Sequence, residues 1–146
     1  MVLITRSIIV NAPVEVTFDV SNRIDEWSKM IPEYLETEIL GYEGRKIWFR
    51  LTNQDGATWT SWRMLHRPYI AYAERHDPVA PFEYNHITWL YQGLPGNTRT
   101  QMTWDMCFEL GAERKHEEEA WQARMAEHTE TNQRAMADYI ESLTVS

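Results

Sequence analysis

ATWTSWRMLHR, residues 57–67, alternates with the two-residue period of a strand, yet neither of its faces is purely apolar. One face carries Trp59, Ser61, Arg63 and Leu65. The other carries Thr58, Thr60, Trp62, Met64 and His66. If the Trp59 face looks inward, an arginine enters the interior. A filled core tolerates a guanidinium poorly, because removing a charge from water is costly without partners. An interior that holds a polar ligand has a use for one. The reading of this strand therefore decides between a solid sheet domain and a hollow one.

The flanking sequence reads as more strands. LETEILGYEGRKIWFRLTNQDGATWTSWRMLHR contains three runs divided at Gly41 to Gly44 and at NQDG, residues 53–56, both good turn chemistry. YIAYAERHD is another strand, closed by Pro78 and Pro81. FEYNHITWLYQ and TRTQMTWDMCFEL are two long strands joined by GLPGN, a hairpin signal. In the latter, Met102, Trp104, Met106 and Phe108 form an apolar face, and Thr103, Asp105, Cys107 and Glu109 a mostly polar one.

The two ends of the chain differ from this meander. LITRSIIVN, residues 3–11, is a β-branched strand. Asn11 is placed to cap a helix over about Pro13 to Val20. Asp25 or Ser21 is placed to cap a second short helix bearing Trp27, Met30 and Ile31, which Pro32 stops. Beyond Gly111, a helix is expected from about Glu113 to Leu143. Its inward stripe is Trp121, Met125, His128, Asn132, Ala135 or Met136, Tyr139 and Leu143. At ~1.5 Å per residue such a helix spans ~45 Å, so it must lie across something long and concave. Asn132 and His128 in its stripe suit a cavity better than a filled core.

The resulting expectation is α+β. A curved seven-stranded antiparallel sheet wraps a long C-terminal helix, two short helices follow the first strand, and a cavity lies between helix and sheet. Residues 1–146 suit one domain.

Composition narrows the partners. The formal net charge is -8, which argues against nucleic acid, since phosphate binding needs a basic surface. No apolar run reaches the length of a membrane span. The single cysteine, Cys107, cannot form an internal disulfide, which suits a cytoplasmic protein. Seven Trp and seven Tyr are many for this length, and such rings line ligand cavities as readily as cores. The five histidines lack metal-ligand spacing, and GxSxG, P-loop and dinucleotide motifs are absent.

Several strings, in order along nearly the whole chain, resemble the single-domain aromatase/cyclases of bacterial type II aromatic polyketide pathways. That family is a branch of the START-like, helix-grip superfamily. The strings are SIIVNAPVEVTFDVSNRIDEW, EYLETEIL, TWTSWRM, APFEYNHITWLY and RAMADYI. The resemblance implies that a linear poly-β-ketone, delivered on an acyl carrier protein, is folded in the cavity. Its first ring is closed by aldol condensation and dehydrated to an aromatic, with no cofactor or metal. The family's pocket residues fall on Trp27, Tyr34, Trp59, Ser61, Arg63, Arg75 and Trp89. Where the family often presents an asparagine in the last helix, this chain has Glu130 or a neighbour. His128 is a further candidate pocket residue on that helix. A homodimer is allowed but not required.

The residue types fit that chemistry. A methylene between two ketones is already acidic, so the enolate and aldolate oxygens are what need stabilising. Guanidinium offers five fixed donors and a permanent charge. Arg63 is therefore expected to polarise carbonyls, Tyr34 to act as general acid made stronger by a neighbouring cation, and Ser61 to orient either group or a water. Trp27, Trp59, Arg75, Trp89 and His128 are expected to hold substrate. Arg45, Lys46 and Arg50 are the candidates for carrier-protein docking. The competing expectation is a non-catalytic carrier of a hydrophobic small molecule, since one fold serves many functions.

Overall fold

The computed structural model describes residues 1–144. Seven strands run β1 (Val2–Val10), β2 (Tyr34–Glu43), β3 (Lys46–Asn53), β4 (Thr58–His66), β5 (Ile70–Asp77), β6 (Phe82–Gly93) and β7 (Thr100–Leu110). They form one antiparallel sheet in the order β1-β7-β6-β5-β4-β3-β2. Consecutive strands from β2 to β7 are hairpin neighbours, and β1 joins the far edge beside β7. Register shifts at Tyr34/Glu36, Ile39/Gly41, Thr60/Ser61 and Phe82/Tyr84 interrupt the ladders. Bulges of this kind bend strands and increase twist, which is how a seven-stranded sheet curls around a helix.

Turn chemistry follows the sequence closely. In the β3–β4 turn, the Asn53 side-chain oxygen accepts from the N–H groups of Asp55 and Ala57, and Gly56 supplies a φ of 84°. The capping expectations fare differently. α1 (Val14–Ser21) is not capped by Asn11, whose N–H donates to Glu141. The Val14 N–H instead donates to the side-chain oxygen of Asn97, in the β6–β7 turn, at 3.0 Å. The second short element is a 3-10 turn at Ile24–Glu26 running into α2 (Trp27–Met30), with no side-chain cap from Asp25 or Ser21. The Ser21 hydroxyl is engaged with the Phe18 carbonyl and the Tyr91 hydroxyl.

α3 (Glu118–Thr144) begins later than its periodicity predicts. Residues Ala112–Glu117 wind as 3-10 turns, and the Glu118 carboxylate accepts from the Leu110 N–H at 3.0 Å, fixing the start of the α-helix there. The inward stripe also ends differently. Leu143 is half exposed, and Ile140 is fully buried in its place.

Two stretches of α3 do different jobs. Met136, Ala137 and Ile140 pack into the main core with Phe18, Trp89 and Met102. Here Gln133, fully buried, donates its amide to the main-chain carbonyls of Arg6 in β1 and Met102 in β7 at 3.0 and 3.1 Å. The earlier stretch, with Trp121, Met125 and His128, is only half buried and roofs an internal space. Among the described residues no helix is long and apolar enough to cross a membrane.

Gln133 is thus the polar pin between helix and sheet. Gln133→Ala leaves two carbonyls without that donor and should lower unfolding stability by about 2 kcal/mol, read as a lower urea midpoint with an unchanged slope.

Candidate active site

The Trp59 face of β4 looks inward. Arg63 is 1% exposed and Ser61 6%, and Trp59 is half buried beside them. The opposite face is not bare, because Trp62 is covered by the Lys46 ammonium, 4.4 Å from its ring centre, and by the edge of Tyr72.

The inward face borders a cavity of about 550 Å³. That is within the usual range for small-molecule sites. All eight residues singled out from the sequence line it: Trp27, Tyr34, Trp59, Ser61, Arg63, Arg75, Trp89 and His128. The β3–β4 turn, the β5–β6 loop and the first half of α3 contribute to one end. Arg63, Trp27 and Trp89 line the floor of the cavity, and Asn22, just after α1, backs it.

That floor is built around Arg63. Its Nε donates to the Asn22 side-chain oxygen at 2.8 Å. The Asn22 amide nitrogen donates in turn to the Phe18 carbonyl and the Tyr91 hydroxyl, which fixes which way the amide points. The guanidinium carbon lies 4.1 Å from the Trp89 ring centre and 5.2 Å from that of Trp27. Trp89 is backed by Trp104, stacked at 4.1 Å and 3°. The Trp27 indole N–H donates to the Ser21 carbonyl at 2.9 Å. Among the described residues no carboxylate pairs with Arg63, and its Nη2 is buried without a partner. The cage thus leaves part of the fork unused. Burial pushes the Arg63 pKa down to about 10, against the opposing pull of Tyr91 and Tyr34.

Tyr34 corrects an expectation. Its ring stacks on Trp27 at 6.1 Å and meets the edge of Trp59 at 6.4 Å. Burial, reinforced by the charge of Glu33, pushes its pKa up, and the pull of Arg63 and Arg75 does not overcome this. The cations do not make it a stronger acid, because its surroundings disfavour the phenolate more. Tyr34 stays a neutral hydroxyl donor, and that hydroxyl has no protein partner among the described residues.

Arg75 is held rather than free. Its Nε donates to the Pro78 carbonyl at 2.8 Å and its Nη2 to the Ala80 carbonyl at 3.3 Å. Its guanidinium lies between Trp59, at 4.7 Å, and Phe82, at 5.2 Å. Among the lining residues that sequence reasoning does not single out as site residues, Glu33, Asn85 and Asn132 are notable for their polar groups. Glu33, just before β2, accepts from the Asn132 amide at 2.9 Å and lies 3.3 Å from His128 Nδ1. Asn85 carries a buried side-chain oxygen with no partner. The polar helix contact comes from Asn132, not from Glu130, which faces Arg6 outside the cavity. The i, i+4 spacing of His128 and Asn132 was the available signal.

The docking candidates fall elsewhere. Arg50 pairs with Glu38, Arg45 donates to the Leu65 carbonyl, and Lys46 sits over Trp62. Arg45 and Lys46 lie at the β2–β3 turn, the opposite end of β3 from the turn that contributes to the cavity.

Comparison with known families agrees with this geometry. Residues 1–141 match the family model described as polyketide cyclase / dehydrase and lipid transport. The chain belongs to that family. A Streptomyces cyaneus protein provisionally named a polyketide cyclase is 32% identical over 111 residues, covering 72% of each chain. Among solved structures, the Zhui aromatase/cyclase of Streptomyces sp. R1128 superposes with a TM-score of 0.84 at 17% identity, covering 99% of this chain and 96% of that one. A START superfamily protein of Mycobacterium smegmatis superposes at 0.70 with 17% identity, over 97% and 99% of the two chains. At such identities the superpositions establish the helix-grip fold, and the family assignment rests on the sequence matches.

The family member's caged cation carries a stability cost. A fall in pKa from 12.5 to about 10 corresponds to roughly 3 kcal/mol of disfavoured charge. Arg63→Met keeps much of the volume without the charge, so it should raise the melting temperature by several degrees. The folded pKa lies below the unfolded one, so the cost is full at neutral pH and relieved as pH rises past about 10. The stability gap between the two proteins should therefore narrow above that pH, as measured by denaturant unfolding.

Proposed function

We propose that this protein is an aromatase/cyclase. In this reading it takes a linear poly-β-ketone tethered to an acyl carrier protein of a type II polyketide synthase. It closes the first ring by intramolecular aldol condensation and dehydrates that ring to an aromatic. The observation that carries the reading is a fully buried Arg63, without a carboxylate partner and caged by indoles, on the wall of a 550 Å³ cavity. A charged group without a countercharge, beside a space that size, is suited to an oxygen-rich ligand.

Each residue then has a role that follows from its surroundings. Arg63 receives the charge that develops on an enolate or aldolate oxygen. It does so from a site already desolvated and rigid, where little reorganisation is needed at the moment of reaction. Being cationic at working pH, it is not the base. Tyr34, neutral and unpartnered, donates a hydrogen bond to a second carbonyl. Ser61, two residues before Arg63 on the same strand face, orients a third oxygen or a water. The rings of Trp27, Trp59 and Trp89 hold the flexible chain in one bend, so that only one pair of carbons reaches about 3 to 3.5 Å. Arg75, braced by the β5–β6 loop, steadies the part of the chain nearest that loop.

A carrier of hydrophobic molecules accounts for the aromatic wall but not for the buried guanidinium. Burying that fork costs stability and gives an apolar cargo nothing in return. The two functions separate in a reconstituted minimal synthase that makes carrier-bound poly-β-ketone, with products resolved by liquid chromatography and mass spectrometry. Adding the native protein should change the ring pattern, whereas a carrier alters yield only. Arg63→Ala, shown folded by circular dichroism, should lose the new product by about a hundredfold. Arg63→Lys should recover little of it, because a point charge cannot reproduce the planar fork.

A further inference from the structure

The reaction needs a group that accepts a proton from carbon, and neither Arg63 nor Tyr34 is suited to that. Arg63 keeps its proton at working pH, and burial holds the proton on Tyr34. Across the cavity, α3 presents a different arrangement. His128 and Asn132, one turn apart, both reach the carboxylate of Glu33. Asn132 Nδ2 donates to Glu33 Oε2 at 2.9 Å, which fixes the carboxylate. Glu33 Oε1 lies 3.3 Å from His128 Nδ1, close enough to pair although not aligned as a hydrogen bond. Loose catalytic hydrogen bonds of this kind commonly tighten when substrate arrives. His128 Nδ1 is buried, while the side chain as a whole is 43% exposed, so Nε2 is the accessible nitrogen of a cavity-lining ring.

We propose that His128 is the proton-transfer residue of the cyclisation and dehydration, with Glu33 and Asn132 as positioning residues. This assignment rests on the aldol reading given above. With Nδ1–H directed at Glu33, Nε2 carries the lone pair. Nε2 takes a proton from a methylene flanked by two ketones, and the C–H electron pair becomes an enolate whose oxygen faces Arg63. The enolate carbon attacks the carbonyl carbon of the closing position. A C–C bond forms, and the carbonyl electrons move to oxygen as an alkoxide. The imidazolium returns its proton to that alkoxide. In the second cycle Nε2 removes a remaining proton from the same methylene carbon, the C–H pair forms C=C, and the C–O bond breaks. The leaving hydroxide takes the proton from the imidazolium and departs as water. One water is lost, and no oxidant, reductant or metal takes part.

A purely structural role is the competing account, in which the three residues only staple α3 to the start of β2. The two accounts differ in what titrates. The charged groups that share the cavity wall with His128 are Glu33, Asp55, Arg63, Glu74, Arg75, Asp105 and Arg124, the last one turn earlier on α3. Of these only Glu33 lies within pairing distance of the imidazole. A carboxylate facing Nδ1 holds the proton on that nitrogen, so Glu33→Gln should shift His128 away from the Nδ1–H tautomer, followed by NMR of the full-length protein.

Turnover completes the test, using the reconstituted minimal synthase and the rate of aromatic product formation across pH. In the native protein the acidic limb should coincide with the His128 pKa read by NMR. In Glu33→Gln, where Nε2 loses its orienting partner, kcat should fall about tenfold with KM little changed. His128→Gln, with its fold verified by circular dichroism, should form product about a hundredfold more slowly and lose that limb. An unchanged kcat in Glu33→Gln, or a native rate in His128→Gln, overturns the assignment. Arg63→Ala tells the two failures apart. If it abolishes the product while His128→Gln does not, the aldol reading stands and only the proton-transfer role falls. If Arg63→Ala also keeps the native product, the aldol reading itself falls.

Discussion

A guanidinium held between two indole rings, with one nitrogen left unpaired, is the constraint around which this structure is arranged. Desolvation opposes the charge, as the lowered pKa of Arg63 records. What keeps it there is a set of neutral contacts: two aromatic faces, and a side-chain oxygen whose own amide is fixed by two acceptors. A carboxylate in place of Asn22 would satisfy the cation more fully and cancel its field. The neutral amide orients the fork without neutralising it, so the field remains available to a ligand. The same requirement explains where α1 ends, since its last turn must deliver Asn22 and the Ser21 carbonyl to the floor.

The hollow itself follows from the division of α3. Where the helix carries Met136, Ala137 and Ile140, with Gln133 bonded to β1 and β7, the interior is filled. Where it carries Trp121, Met125, His128 and Asn132, it arches over space bounded by β4, β5 and β6. A filled half supplies the stability that lets the other half remain open. The cavity is therefore a consequence of which helical turns carry core residues, not of loose packing throughout.

Much of this was legible because strand alternation is local. Once β4 is recognised, the positions of Trp59, Ser61 and Arg63 on one face follow from geometry alone, and the interior arginine demands a hollow. The stripe on α3 was legible for the same reason, down to the polar pair His128 and Asn132. Contacts made across long stretches of chain were not. α1 is capped by Asn97 from a turn 83 residues away, where the sequence offered the adjacent Asn11. The pairing of Glu33 with α3 is also invisible to periodicity, because Glu33 precedes a strand and belongs to no pattern. The acidity of Tyr34 was misjudged because a neighbouring cation can be inferred from spacing, whereas the depth of burial that outweighs it cannot.

The two polar centres of the cavity differ in a way that bears on mechanism. At the floor stands a cation that holds its charge across physiological pH, surrounded by indole and a neutral amide. Across from it, on α3, stands an imidazole whose Nδ1 lies 3.3 Å from a carboxylate oxygen. An aldol closure followed by loss of water needs both kinds of group. One must stabilise oxygen-centred charge without moving a proton, and the other must move protons between carbon and oxygen without holding them. Placing both functions on one residue would force its pKa to a compromise. Placing them on opposite walls leaves each free to be set by its own surroundings. In the proposed reaction the substrate spans the gap, so the distance between the walls also selects which methylene and which carbonyl react.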